Sequence, residues 1–205
     1  MLTEKGIKGF LVRNLESLFR ADYFIKTYKP GPFEIVADAG VYCFNAEAFR
    51  FLQRSCQEVY LPYELNGKEC RQLLSRCGQR LSMIVYGTIP MMISANCVRK
   101  TSDICGKERG DTETGRPVFL TDRYHTKFPV QCRCRHCYNI IYNSVPLSLH
   151  QKFQEIRETG IYAARLDFVW ETGELAEKIL DFYCGRTENF PVTEYTAGHY
   201  KRGVE

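Results

Sequence analysis

The sequence predicts an α/β fold of parallel strands covered by helices, and three observations predict it. Short apolar runs alternate with amphipathic stretches of helical period. The runs are apolar on both faces, as strands buried between two helical layers are. Each run also ends in polar or ionisable residues, the pattern found where the C-terminal ends of parallel strands carry a site.

The elements follow in order. Residues 9–13 (Gly-Phe-Leu-Val-Arg) read as a short buried strand. Residues 15–28 follow as a helix with Leu15, Leu18 and Phe19 on one face, ended by Pro30-Gly31-Pro32. Residues 34–38 form a second strand, and Asn45 suits the N-cap of a helix over 46–55. A third strand is expected over 58–62, then a helix over 66–77 stopped by Gly78. Residues 80–86 and 164–169 complete the strands, and a helix over 173–183 closes the pattern. Five such units are too few for an eight-stranded barrel. The sheet is therefore open, or the chain is the C-terminal part of a longer protein. The strand ends nominate Arg13, Asn14, Asp38, Glu64, Tyr86, Arg165 and Asp167 as pocket residues, although Asp38 or Asp167 alone also suits a turn cap.

The rhythm breaks over 87–149, where proline, glycine and polar residues dominate. This divides the chain into strand–helix units over 1–86, a cysteine-rich insertion over 87–149, and a closing helix–strand–helix over 150–205. Short strands fit 117–121, 127–130 and 140–142 within the insertion.

The 205 residues carry a net charge of +4, too small to identify a nucleic-acid binder by itself. Most of the positive excess lies between Cys97 and Cys137, including Arg99, Lys100, Arg123, Arg133 and Arg135. That segment is either a solvated face or a landing surface for an anion such as RNA phosphate. No apolar run approaches the roughly 18–20 residues of a membrane span, and no secretory signal opens the chain. The expectation is a cytoplasmic protein with no membrane association.

Thiols stay reduced in that compartment, so ligation or burial must explain ten cysteines. Cys97-x7-Cys105 and Cys132-x-Cys134-x2-Cys137 form two groups among turn-forming residues. Cys134-Arg-His-Cys137 is a CxxC turn that folds two soft donors toward one centre. Three readings stand: an iron–sulfur cluster, structural zinc, or cysteines that are merely buried. Cys43, Cys56, Cys70, Cys77 and Cys184 read as small core residues, and His136 as an exposed spacer. Cys137 with His125 is a further pair for nucleophilic chemistry.

Several segments resemble the U32 peptidase (collagenase-like) family. They are Val85-Tyr86-Gly87-Thr88-Ile89-Pro90, Ser94-Ala95-Asn96-Cys97, Leu120-Thr121-Asp122-Arg123 and Cys134-Arg135-His136-Cys137-Tyr138-Asn139. Arg165-Leu166-Asp167-Phe168 and Gly198-His199-Tyr200 continue the match, with Val12-Arg13-Asn14 and Leu61-Pro62-Tyr63-Glu64 upstream. The resemblance implies a partial (β/α) TIM-barrel-like domain that lacks its N-terminal strands, which a partner chain would supply. It also implies a 4Fe-4S cluster on Cys97, Cys105, Cys134 and Cys137, with Cys132 as an alternative to Cys134. The implied activity is iron–sulfur-dependent hydroxylation of RNA or a small aromatic substrate. In it Asp38, Glu64, Tyr86 and Asp167 would be catalytic, and Arg13, Asn14 and Arg165 would bind substrate. Peptide hydrolysis and a zinc-stabilised RNA-binding module are the alternatives.

Overall fold

The computed structural model describes residues 6–29, 31–77, 80–102, 105 and 118–202. The chain opens with β1 (Gly9–Val12), α1 (Leu15–Tyr28), β2 (Glu34–Ala37), α2 (Ala46–Leu52), β3 (Glu58–Tyr60), α3 (Gly67–Cys77) and β4 (Leu81–Gly87). An antiparallel sheet follows, built from β5 (Pro90–Ser94), β6 (Val118–Thr121), β7 (Lys127–Arg133) and β8 (Tyr138–Tyr142), with the one-turn α4 (Val98–Thr101) after β5. The chain closes with β9 (Leu147–Ser148), α5 (Phe153–Glu158), β10 (Ala164–Asp167) and α6 (Gly173–Tyr183).

β1, β2, β3, β4 and β10 pair in parallel in that order, as part of a curled (β/α) barrel, and β9 runs antiparallel along the end of β4. All seven residues of β4 are buried, which is why that run reads as apolar on both faces. Ile35, Val59, Leu81 and Val85 pack between strands and helices with Leu18, Phe49, Leu52 and Leu73. The β4–β10 register skips Val85, between Arg165 opposite Ile84 and Leu166 opposite Tyr86. Such a bulge re-aims the side chains beyond it.

Several expectations need correction. Leu15, Leu18 and Phe19 do not share the inward face of α1: Leu18 and Ala21 are buried, while Leu15 and Phe19 are exposed. The helix turns its 18/21/25 face to the core, and Leu15, Phe19 and Tyr23 form an outward stripe four residues apart. Cys184 is exposed at the C-cap of α6, whereas Cys43, Cys56 and Cys70 are core residues. The third strand stops at Tyr60, and α2 stops at Leu52. Asn45 caps α2 as expected, its Oδ1 accepting the Ala48 N–H at 2.9 Å. The proposed stops at Pro30 and Gly78 lie outside the described residues.

Among the described residues of the insertion, four strands pair in the order β5-β8-β7-β6. After α6 the chain returns across the barrel: Thr196 bridges Leu147, and the Tyr200 carbonyl accepts the Gly67 N–H at 2.8 Å. Among the described residues no helix is long and apolar enough to cross a membrane.

Candidate functional site

Asp38 ends β2 and caps the short 3-10 turn Ala39–Val41. Its Oδ1 accepts the Ala39 N–H and Arg165 Nη2, each at 2.8 Å, and its Oδ2 accepts Arg13 Nε at 2.9 Å. Arg165, on β10, reaches Asp167 as well, with Nη2 at 3.0 Å and Nε at 2.8 Å. Its guanidinium lies 4.4 Å from the centre of the Tyr60 ring. Burial disfavours the Arg165 charge, but Asp167 and Asp38 outweigh it and hold the pKa above the ordinary arginine value. Carboxylates thus engage the fork of Arg165 from two sides; Nε meets Asp167 as an ion pair without hydrogen-bond geometry, and Nη1 is buried without a hydrogen-bond partner. Arg13 keeps 74% of its side chain in solvent, whereas Arg165 keeps 18%.

Tyr86, at the end of β4, donates to Glu171 Oε1 at 2.9 Å. Glu171 Oε2 accepts the N–H groups of Val169 and Trp170 at 2.8 and 3.0 Å, so one carboxylate shapes the loop and anchors the phenol. Burial, then the Glu171 charge, raises the Tyr86 pKa. Phe168 and Phe190 pack against the Tyr86 ring. Tyr63 stands beside the ion-pair cluster; burial, with the nearby Asp167 and Asp38, pushes its phenol up to about 12. Two nominated residues remain outside this network. Asn14 uses its Oδ1 to cap α1 at Ser17, and Glu64 has one buried carboxylate oxygen without a partner. Sequence reasoning missed Tyr60, Tyr63, Trp170 and Glu171. The two tyrosines at the end of the third apolar run were the available signal; nothing local marked Glu171.

The antiparallel sheet is seated on this mouth. Trp170 meets Tyr142 edge-on, with ring centres 5.6 Å apart, and Tyr142 donates to Gln131 at 3.1 Å. Gln131 precedes Cys132 on β7. Cys132 pairs across the ladder with Asn139, which pairs with Ser94 on the far side. The buried Asn139 amide donates to the Asn96 carbonyl at 2.8 Å, drawing the start of α4 and Cys97 toward the same sheet end. Burial raises the Cys132 thiol; the adjacent Arg99 lowers it, and nearby Cys134 and Cys97 raise it. Cys134 opens a 3-10 turn that ends at Cys137 in a left-handed conformation. Cys105 is exposed. Cys97, Cys132, Cys134 and Cys137 therefore gather at one end of the sheet, a soft donor set that suits zinc or an iron–sulfur cluster in kind. Among the described residues no group of three His, Cys, Asp or Glu stands close enough to hold a metal ion as it is. His125 and Cys137 lie beyond opposite ends of the seven-residue β7, roughly 20 Å apart by strand rise, so they form no catalytic pair.

A model of peptidase family U32 matches residues 22–183, which include Asp38, Tyr86, Arg165, Asp167 and the cysteines from Cys97 to Cys137, but not Arg13 or Asn14. The chain belongs to peptidase family U32. No curated protein and no solved structure matches it.

This U32 chain holds one further pair of note. Ser148 Oγ and His150 Nδ1 are 2.8 Å apart, the distance of a nucleophile and its base. Ser148 is 2% exposed, and the imidazole stacks on Phe190 with Tyr195 and Phe182 at its edges. The U32 chain thus uses the pair to clamp its C-terminal segment. Burial lowers the His150 pKa below its ordinary value of 6.5. The unfolded chain then takes up the proton first as pH falls through 6.5, and stability is lost until the folded value is passed. Urea midpoints are expected to fall between pH 7 and pH 5, and His150→Phe is expected to flatten that dependence. A slope unchanged in the variant would refute the assignment.

Proposed function

We propose that this U32 protein is an iron–sulfur-dependent enzyme that supports hydroxylation of RNA or a small aromatic substrate at the mouth of the partial barrel. The observation that carries the reading is the seating of the cysteine-bearing sheet on that mouth through Tyr142 and Trp170. Cys97, Cys105 and Cys137 would hold the centre with Cys134, or with Cys132 in its place. A four-iron cluster supplies one-electron transfer when bound. The chain's own residues do the rest. Arg165 fixes Asp38 and Asp167 in place, Arg13 meets anionic oxygens, and Tyr86 and Tyr63 present phenols beside the carboxylates. Peptide hydrolysis draws support from the family description alone.

A partner chain that adds strand–helix units fits the other side of the molecule. Among the described residues β1 pairs only with β2, and Leu11, Leu15 and Phe19 are exposed beside its open edge.

Anaerobically purified protein is expected to show broad visible absorption that Cys134→Ser and Cys137→Ser each abolish. A colourless protein containing zinc, and gaining no absorption on reconstitution with iron and sulfide, would replace the cluster with the structural-metal reading. Proteolysis that survives loss of both cysteines would favour the peptidase.

A further inference from the structure

We propose that Tyr42 and Phe44 form a stacking platform for a nucleotide base at the rim of the mouth, with Arg13 receiving the phosphate. The proposal rests on reading the strand ends as the substrate site and names a ligand chemistry for it: a planar ring carrying an oxyanion.

The loop between β2 and α2 carries the argument. The Tyr42 and Phe44 rings lie nearly parallel, at 9°, with centres 5.9 Å apart. They are 58% and 43% exposed, whereas Cys43 between them is 1% exposed and anchors the loop in the core. The alternation turns both rings away from the hydrophobic interior. The platform is also fixed. Tyr42 is held in the left-handed region at φ 61°, its N–H bonded to the Ala39 carbonyl at 3.1 Å, and the Phe44 N–H bonds to the Tyr42 carbonyl at 3.1 Å. A tyrosine in that conformation is backbone strain sustained by its surroundings.

The same loop begins at Asp38, whose Oδ2 holds Arg13 by Nε and leaves the outer guanidinium in solvent. Gly40 keeps the loop against the end of β1: a Cβ there would lie 3.1 Å from the Arg13 carbonyl. Parallel exposed rings on a loop whose first residue holds an arginine supply the elements that bind unpaired bases: every base offers a π face, and phosphate meets arginine. A neutral aromatic compound would leave Arg13 unused, and an aromatic side chain of a peptide carries no anion of its own.

The chemistry is shared by a free mononucleotide and a nucleotide within a single strand, and the experiment separates them. Anisotropy of a labelled RNA single strand of about ten nucleotides would be followed at low salt, with AMP binding measured by equilibrium dialysis. Tyr42→Ala and Phe44→Ala are each expected to weaken binding on the order of tenfold, while Tyr42→Phe stays within about twofold because the ring is kept. Arg13→Gln is expected to reduce the slope of log K against log salt by about one. If AMP shows the same pattern, the ligand is the free nucleotide; if only the strand binds, it is RNA. The proposal is overturned if neither ligand binds, or if folded Tyr42→Ala and Phe44→Ala proteins bind as the wild type does. The platform uses no thiol, so ligand binding and visible absorption are independent readouts. Failure of the cluster reading and failure of the platform are therefore separate results.

Discussion

Replacing Arg165 with methionine is expected to lower the thermal midpoint by about 10 °C, from a loss of about 3–5 kcal/mol in a domain of this size. The Asp38 side chain is 8% exposed and Arg165 18%, so little water is available to take over from the lost partner. Arg13 remains on Asp38 but is mostly in solvent, where such a contact is worth under about 1 kcal/mol. The variant leaves a buried carboxylate under-compensated, and that residual charge is what destabilises. Adding Asp38→Asn to Arg165→Met is expected to restore part of the loss, because the stranded charge goes too. Arg165→Lys keeps the charge but not the fork over Tyr60 and should fall between. Thermal melts followed by circular dichroism at pH 7 decide it; a shift under about 2 °C for Arg165→Met would mean that solvent already screens the cluster.

The second large effect is expected from Gly87→Ala at the end of β4. Gly87 has φ 149°, and a Cβ there would lie 2.6 Å from the Asp167 carbonyl oxygen and 2.7 Å from the Asp167 Cβ. Gly87 is the ladder partner of Asp167, so neither backbone can withdraw without breaking the pairing of β4 with β10. Strain and lost pairing together should destabilise by about 3 kcal/mol or more. Gly173→Ala is the matched control. A Cβ there meets nothing within 4 Å, and its urea midpoint should stay close to wild type. The Gly87 change also pushes Asp167 off Arg165, so combining it with Arg165→Met should cost less than the sum of the two. Additive losses would show that β10 shifts without disturbing the ion pairs.

The parallel sheet was legible because burial on both faces writes itself into the chain as uninterrupted apolar runs, and Asp38, Arg165 and Asp167 stood at the ends of those runs. Their mutual contact was not legible: Arg165 and Asp38 are 127 positions apart, and only the sheet order brings them together. β5 is not legible in the sequence, because Met91, Met92 and Ile93 are too short a run after a proline to signal a strand. The face of α1 was misassigned because Leu15 and Phe19 are as apolar as Leu18, and only tertiary packing decides which of two apolar faces turns inward. Glu171 was invisible for a different reason. Its role comes from accepting backbone N–H groups of its own loop while reaching Tyr86, and no periodicity encodes that.

Trp170 is the sole tryptophan of the chain, and its indole nitrogen is buried without a hydrogen-bond partner against Tyr142. The tryptophan emission of the protein therefore originates at a single place, the seam between barrel and antiparallel sheet. Its colour reports whether water has entered that seam, and its brightness whether an absorbing group has been installed nearby. The molecule carries its own dye at the junction of barrel and antiparallel sheet.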